Sequence, residues 1–191
     1  MEDNFQEIKD KLLAFSKAHG ACTDEYERLY NATNMSEVVS VVRDNFARCY
    51  KYRDFADILT AYSDEFAKYN IWINTSIEVN TGVHYLLATH GEYYAGSHCN
   101  STINAWIYGN STLSAESYDN STIIAWSYGD STLNAEGWDT STINAEGWDT
   151  STINAWSQDN STLNAEGWDT STINAFTPNV KCQVHDYSIA R

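Results

Sequence analysis

Between Ser101 and Val180 the chain has no lysine, arginine or histidine. That absence excludes direct nucleic-acid binding by this stretch, because phosphates demand a positive face. Proline occurs once in 191 residues, as Pro178, where it closes a repetitive region. No apolar run is long enough for a membrane span or an N-terminal export signal. The four cysteines, Cys22, Cys49, Cys99 and Cys182, form no Cys-x-x-Cys pair. Thiols without such a signal read as free, in a cytoplasmic protein. Catalysis needs a few unlike groups converging in a pocket, whereas repeated segments place like groups side by side. The expectation is therefore no enzyme, no cofactor and no catalytic residue.

What the chain has instead is a decapeptide, written eight times from Ser101 to Val180: STINAWIYGN, STLSAESYDN, STIIAWSYGD, STLNAEGWDT, STINAEGWDT, STINAWSQDN, STLNAEGWDT and STINAFTPNV. Units so short cannot bury a face alone and must stack on one another. Ten residues is also too short for a helical repeat. Alternation assigns Ser, Ile or Leu, and Ala at places one, three and five to the inside of a strand, with Thr and Asn at places two and four outside. Place nine is Asp, Gly or Asn, residues that tolerate a left-handed backbone in a turn. One strand and one return per decapeptide describe a narrow parallel β-solenoid of ten-residue coils. A square coil of five-residue faces, as in pentapeptide-repeat proteins, is the rival. The half STINA fits it, but the other half would bury Glu116 or Glu136 without a partner, which is costly.

Residues 1–70 carry helical spacing instead. Phe5, Ile8, Leu12 and Phe15 share one face; Val38, Val39, Val42 and Phe46 a second; Phe55, Ile58, Leu59, Tyr62, Phe66 and Tyr69 a third. Gly20 stops the first helix, and Asn34 with Glu37 forms a capping pair for the next. The expected architecture is α+β: a helical domain of three or four helices over 1–70, the β-solenoid over 71–180 with clear repeats from 101, and a tail or cap over 181–191. The coils from Ile71 to Asn100 are worn, with Ile73, Val83 and Tyr93 at place three. The helical domain is expected to cap this end.

The segment AFSKAHGACTDEYERLYNATNMSEVVSVVRDNFARC resembles a small helical domain of uncharacterised proteins from gut bacteria and their phages, some of which continue into short Ala- and Thr-rich tandem repeats. The resemblance implies a bacterial or phage source and a solenoid, and brings no activity and no site residue with it.

The whole chain has a formal net charge of −15. At one rung per decapeptide, eight coils make a rod of roughly 38 Å. Its ten acidic residues then compare with roughly twenty-two charges on the same length of B-DNA. A dilute imitation of nucleic acid follows, with Glu116, Asp119, Asp139, Glu146, Asp149 and Asp169 as the partner-binding set. The partner would be a host nucleic-acid-handling or defence protein, engaged by a phage or mobile-element inhibitor. The alternative is a structural protein, such as a virion component or adhesive spacer. Tyr108, Tyr118, Tyr128, Trp138, Trp148 and Trp168 read as one aromatic stripe joining copies into a homo-oligomer, since monomers seldom expose so long an apolar strip. Unbroken rows of Thr from Thr102 onward, with Asn beside most, resemble antifreeze lattices but equally serve sheet cohesion. His84, His90, His98 and Cys99 form a less repetitive cluster in which stacking would bring His90 close to Cys99, a pair of metal-ligand types to which no metal is assigned. Asp119, Asp139, Asp149, Asp159 and Asp169 line up in turns but lack the Gly-rich nonapeptide of calcium solenoids.

Overall fold

The computed structural model describes residues 4–191. The chain divides into two compact units, residues 1–71 and residues 72–191. The first holds α1 (Phe5–Ala18), α2 (Thr23–Asn31), α3 (Met35–Cys49), α4 (Arg53–Ala61) and α5 (Ser63–Ala67). Ile8, Leu12 and Phe15 of α1 are buried, as are Val38, Val39, Val42 and Phe46 of α3. Gly20, at φ 66°, lets the chain leave α1 in a left-handed turn. The Asn34 side chain accepts from the Glu37 N–H at 3.0 Å, and the Glu37 carboxylate accepts from the Thr33 N–H at 2.7 Å. The first bond satisfies one of the orphan donors that open α3, and the second holds the residue ahead of the cap.

Five helices form among the described residues, where spacing predicted three or four. The extra ones have short apolar faces. Within α2 only Leu29 is buried, so it writes little periodicity. The face from Phe55 to Tyr69 is broken at Tyr62, whose φ of −124° separates α4 from α5.

The strands begin at the boundary between the units with β1 (Ile71–Ile73), followed by β2 (Ile77–Val79), β3 (Val83–Ala88) and β4 (Glu92–Ser97). Each decapeptide then gives one strand: β5 (Thr102–Ile107), β6 (Thr112–Ser117), β7 (Thr122–Ser127), β8 (Thr132–Gly137), β9 (Thr142–Gly147), β10 (Thr152–Ser157), β11 (Thr162–Gly167) and β12 (Thr172–Ala175). The tail continues the pattern with β13 (Val180–Val184) and β14 (Ile189–Ala190). Odd strands build one seven-stranded sheet and even strands the other. All the pairings between successive strands of a sheet from β2 onward are parallel, so this is the parallel β-solenoid that alternation predicts.

The decapeptide supplies a strand and a turn, and two decapeptides complete one circuit. Thr102 pairs with Thr122 and Ile103 with Ile123, twenty residues on. Each sheet therefore gains a rung every twenty residues, where one every ten was expected. Twenty residues is also the circuit of the square coil, but here they form two strands of six and two turns rather than four short faces.

Both sheets turn the same places inward. Ile103, Leu113, Ile123, Leu133 and their successors are fully buried at place three, and Ala105 through Ala165 are buried at place five. Alternation carries burial on to place seven, held by Gly or Ser in most decapeptides. The buried Ser at place one works as a staple rather than as apolar filling. Ser101 Oγ donates to the His98 carbonyl at 2.8 Å and Ser121 Oγ to the Tyr118 carbonyl, closing the turn from inside. Where place seven is Ser, its hydroxyl meets the next Ser, as in Ser117 with Ser121 at 2.8 Å. Place nine is left-handed throughout the clear turns, at φ 55° for Asp119, 56° for Asp139 and 70° for Gly109.

Among the worn coils Tyr93 and Ala95 keep the expected places three and five, but the strand before them slips. Val83 pairs with Thr102, not with Ile103, and is 48% exposed, so His84 and Leu86 take the inward places. From Val83 at place two of β3 to Glu92 at place two of β4 is nine residues. The shortened turn is held by Asn74, whose side-chain oxygen accepts from the Thr89 N–H at 2.8 Å, and by Gly91 at φ 87°.

Removing Ser141–Asn160 deletes one strand from each sheet and keeps every later strand on its own sheet. The variant should unfold in a single cooperative transition, with a rod shorter by one rung, about 4.8 Å. Denaturant melts and small-angle scattering check it, and a broadened, multiphase transition would count against interchangeable rungs.

Candidate binding surfaces of the solenoid

Twofold alternation gives the rod two sheet faces and two turn edges, and the acidic residues are divided among all four. Asp119, Asp139 and Asp159 follow even strands and line one edge. Asp149 and Asp169 follow odd strands and line the other. Glu116 and Glu136 are register partners on one face, Glu146 and Glu166 on the opposite face. The structure thus brings Asp119 beside Asp139 and Asp149 beside Asp169, while Glu116 and Glu146 stand on different sheets.

The edge carboxylates also close the turns. Asp119 accepts from the Cys99 N–H at 3.2 Å, and Asp149 from the Gly129 N–H at 3.1 Å, one rung away. Asp139 and Asp169 bear on the next Asp N–H at 3.4 Å in the same way. Each of these acids therefore stacks with an N–H donor beside it.

Glu116 is the most enclosed of the face carboxylates by contact. It accepts from the Tyr94 hydroxyl at 3.2 Å and from the Tyr118 hydroxyl at closer range. Burial, reinforced by the Glu116 charge and hydrogen bond, pushes the Tyr94 phenol up to about 12, and the same causes raise Tyr118. Glu136 accepts from the Gln158 amide at 3.0 Å. On the other sheet, Glu146 and Glu166 border a cavity of about 330 Å³ with Lys181 and Gln183. Tyr94 escaped notice in the sequence because it belongs to a worn coil. Its signal was position: it stands at place four, in register with Ser114.

The aromatic stripe is two stripes, one on each edge, which corrects the single strip read from the decapeptides. Tyr108, Tyr128, Trp148 and Trp168 follow odd strands, whereas Tyr118 and Trp138 follow even ones. Rings stack at 6.2 Å between Tyr128 and Trp148, 5.0 Å between Trp148 and Trp168, and 6.3 Å between Tyr118 and Trp138. His98 continues one stack against Tyr118, and His185 the other against Trp168. Each of these rings is only partly exposed, because its faces meet its neighbours. Place-six rings form further stacks on the faces, Trp106 on Trp126 at 4.8 Å and Trp156 on Phe176 at 4.3 Å. The Thr row divides likewise, Thr102, Thr122, Thr142 and Thr162 on one sheet and the rest on the other. Asn ladders bond between rungs, Asn154 to Asn134 at 2.8 Å and Asn164 to Asn144 at 2.9 Å.

The His and Cys side chains near residue 90 go separate ways. His90 lies beside the Thr89 hydroxyl at 2.9 Å, the His98 Nε2 is 3.2 Å from Glu78, and Cys99 sits exposed in a turn at φ 56°. Among the described residues no three His, Cys, Asp or Glu side chains are grouped to hold a metal ion. All four cysteines are free thiols. No described helix is long and apolar enough to cross a membrane.

The twenty-residue circuit changes the charge density. Eight decapeptides now give four rungs per sheet, a length of roughly 19 Å. Ten acidic residues share that length, Glu116, Asp119, Asp130, Glu136, Asp139, Glu146, Asp149, Asp159, Glu166 and Asp169. B-DNA of the same length carries roughly eleven charges. The twofold deficit expected from a one-strand coil disappears. The chain matches no protein-family model, no curated protein and no solved structure.

Raised Tyr94 and Tyr118 phenols are kept protonated by the fold, so their contribution to stability is complete below the unfolded value near 10. It is lost as pH rises from about 10 through the folded Tyr94 value of about 12. Denaturation midpoints of the wild type should fall across that window. Glu116→Gln removes the neighbouring charge and should flatten the decline; equal slopes in the two proteins would refute the coupling.

Proposed function

We propose that the solenoid is a non-enzymatic, acidic protein-binding rod that imitates nucleic acid and occupies the binding groove of a nucleic-acid-handling protein. The observation that carries this reading is the twenty-residue circuit, which brings the acidic residues to the linear charge density of duplex DNA with no cation between Ser101 and Val180, Lys181 standing beside Glu146 and Glu166 at the end of one sheet. The charge lies on both edges and both faces, so a groove meets acid from any side. Hydrogen bonds from turn N–H groups hold the edge carboxylates in place, a pre-ordering that lowers the cost of binding. The likeness of the helical segment to bacterial and phage proteins makes a host nuclease, polymerase or topoisomerase the class to test, with the protein acting as an inhibitor inside the cell.

Rings that face one another along the edges leave little flat aromatic surface for a second chain. The acidic reading therefore takes precedence over self-association.

Competition against labelled duplex DNA bound to purified bacterial nucleases, polymerases and topoisomerases tests it. The wild type should displace the duplex from at least one of them, with an affinity that falls steeply as salt is raised. Asp139→Asn, Glu146→Gln, Asp149→Asn and Asp169→Asn together should weaken displacement by at least about tenfold, or 1.4 kcal/mol. The fold should survive, since Asn also tolerates the left-handed turn and still accepts a hydrogen bond. Undiminished competition by a folded quadruple variant would remove the proposal.

A further inference from the structure

The helical unit contains a site that the solenoid's chemistry does not use. A cavity of about 550 Å³ lies between α1, α2, α3 and the start of α4. Its depth is apolar, with Leu12, Leu29, Val42 and Phe55 all buried. One wall is aromatic: the His19 ring packs, tilted by 39°, against Phe15 at 4.6 Å and Tyr52 at 4.1 Å. This is the volume and lining of a small-molecule site, apolar with a few polar groups at the mouth.

The mouth has a sign. Glu25 is the only acidic residue lining the cavity, and it is engaged by Arg28 at 2.8 Å and by the Asn45 amide at 2.8 Å. Nearby Asp54 is held by the His19 ring at 2.7 Å. Arg48 and Lys51 also line the cavity, and neither forms an ion pair among the described residues. Both are exposed, and the Lys51 ammonium lies 5.4 Å from the centre of the Tyr52 ring. Two unneutralised cations beside an apolar slot reverse the character of a chain at −15.

We infer that this cavity binds a small amphipathic anion, with its flat apolar body against Phe15 and Tyr52 and a single acid group between Arg48 and Lys51. The aromatic wall suits a ring system, and the paired cations suit a carboxylate or sulfonate. Cys22 and Cys49 line the same cavity and supply a local reporter. Burial pushes the Cys49 thiol up, so its modification is slow enough to follow.

The test uses the full chain carrying Cys99→Ser and Cys182→Ser, leaving thiols only at the cavity. The probe is 1-anilinonaphthalene-8-sulfonate, an aromatic anion that the acidic remainder of the protein repels. Its fluorescence should rise to a saturating plateau at one probe per chain, and it should slow modification of Cys22 and Cys49. Arg48→Gln with Lys51→Gln, both at exposed positions, should weaken binding by about tenfold or more. Ser16→Trp, at the mouth, should abolish the plateau. An unsaturable rise, a plateau indifferent to the Arg48 and Lys51 changes, or unprotected thiols would each overturn the assignment. Should Ser16→Trp prove unfolded by circular dichroism, the charge-neutralised pair decides alone.

Discussion

The parallel ladder joining each residue to the one twenty positions on governs the solenoid. Because the repeat is ten and the ladder step twenty, most columns stack a residue on its own kind. Ile or Leu meets Ile or Leu in the clear repeats, Asn meets Asn along much of its column, and Trp148 meets Trp168, whereas place six mixes Trp with Glu, as in Trp126 with Glu146 and Trp156 with Glu136. For amides and rings, stacking on their own kind is favourable, since each donor finds an acceptor and each ring a face. For acids it is not. Like charges in neighbouring strands repel, so each acidic column needs donors beside it. The edge column takes turn N–H groups and the Glu116 column takes two phenols.

That requirement joins stability to the proposed function. A carboxylate fixed by its neighbours presents an ordered charge to a partner, whereas one on a free side chain must be ordered on binding. The rung spacing that forces the acids together also sets their density per length. Stability and charge display thus rest on the same hydrogen bonds, and Asp139 illustrates both: its backbone is left-handed, and its carboxylate points at the Asp119 N–H. The helical unit follows a different logic. Its core is built from unlike residues of four segments, which is why it can enclose a cavity where the repetitive unit offers only faces, edges and a smaller recess.

Much of this was legible in the decapeptide itself. Strict alternation assigned Ile103 and Ala105 inward and Thr102 outward, and the residue at place nine announced a turn. The cap at Asn34 and the stop at Gly20 were equally plain, because each rests on two or three neighbouring residues. Ser101 was placed correctly inside but not understood. Only the turn geometry shows its hydroxyl closing onto the His98 carbonyl.

What the sequence determined by itself was local: the strand, its inner face, the turn, the helical character of the first unit and the sign of the charge. Only the tertiary structure decided which strand lies beside which. Alternation with period two is satisfied equally whether successive strands pair with each other or return to opposite sheets. Parallel neighbours in one sheet need a crossover of a dozen or more residues, far longer than the four-residue turn between β5 and β6. The chain must therefore visit the second sheet before it returns. That detour splits the aromatic stripe, halves the rod and doubles its charge per length.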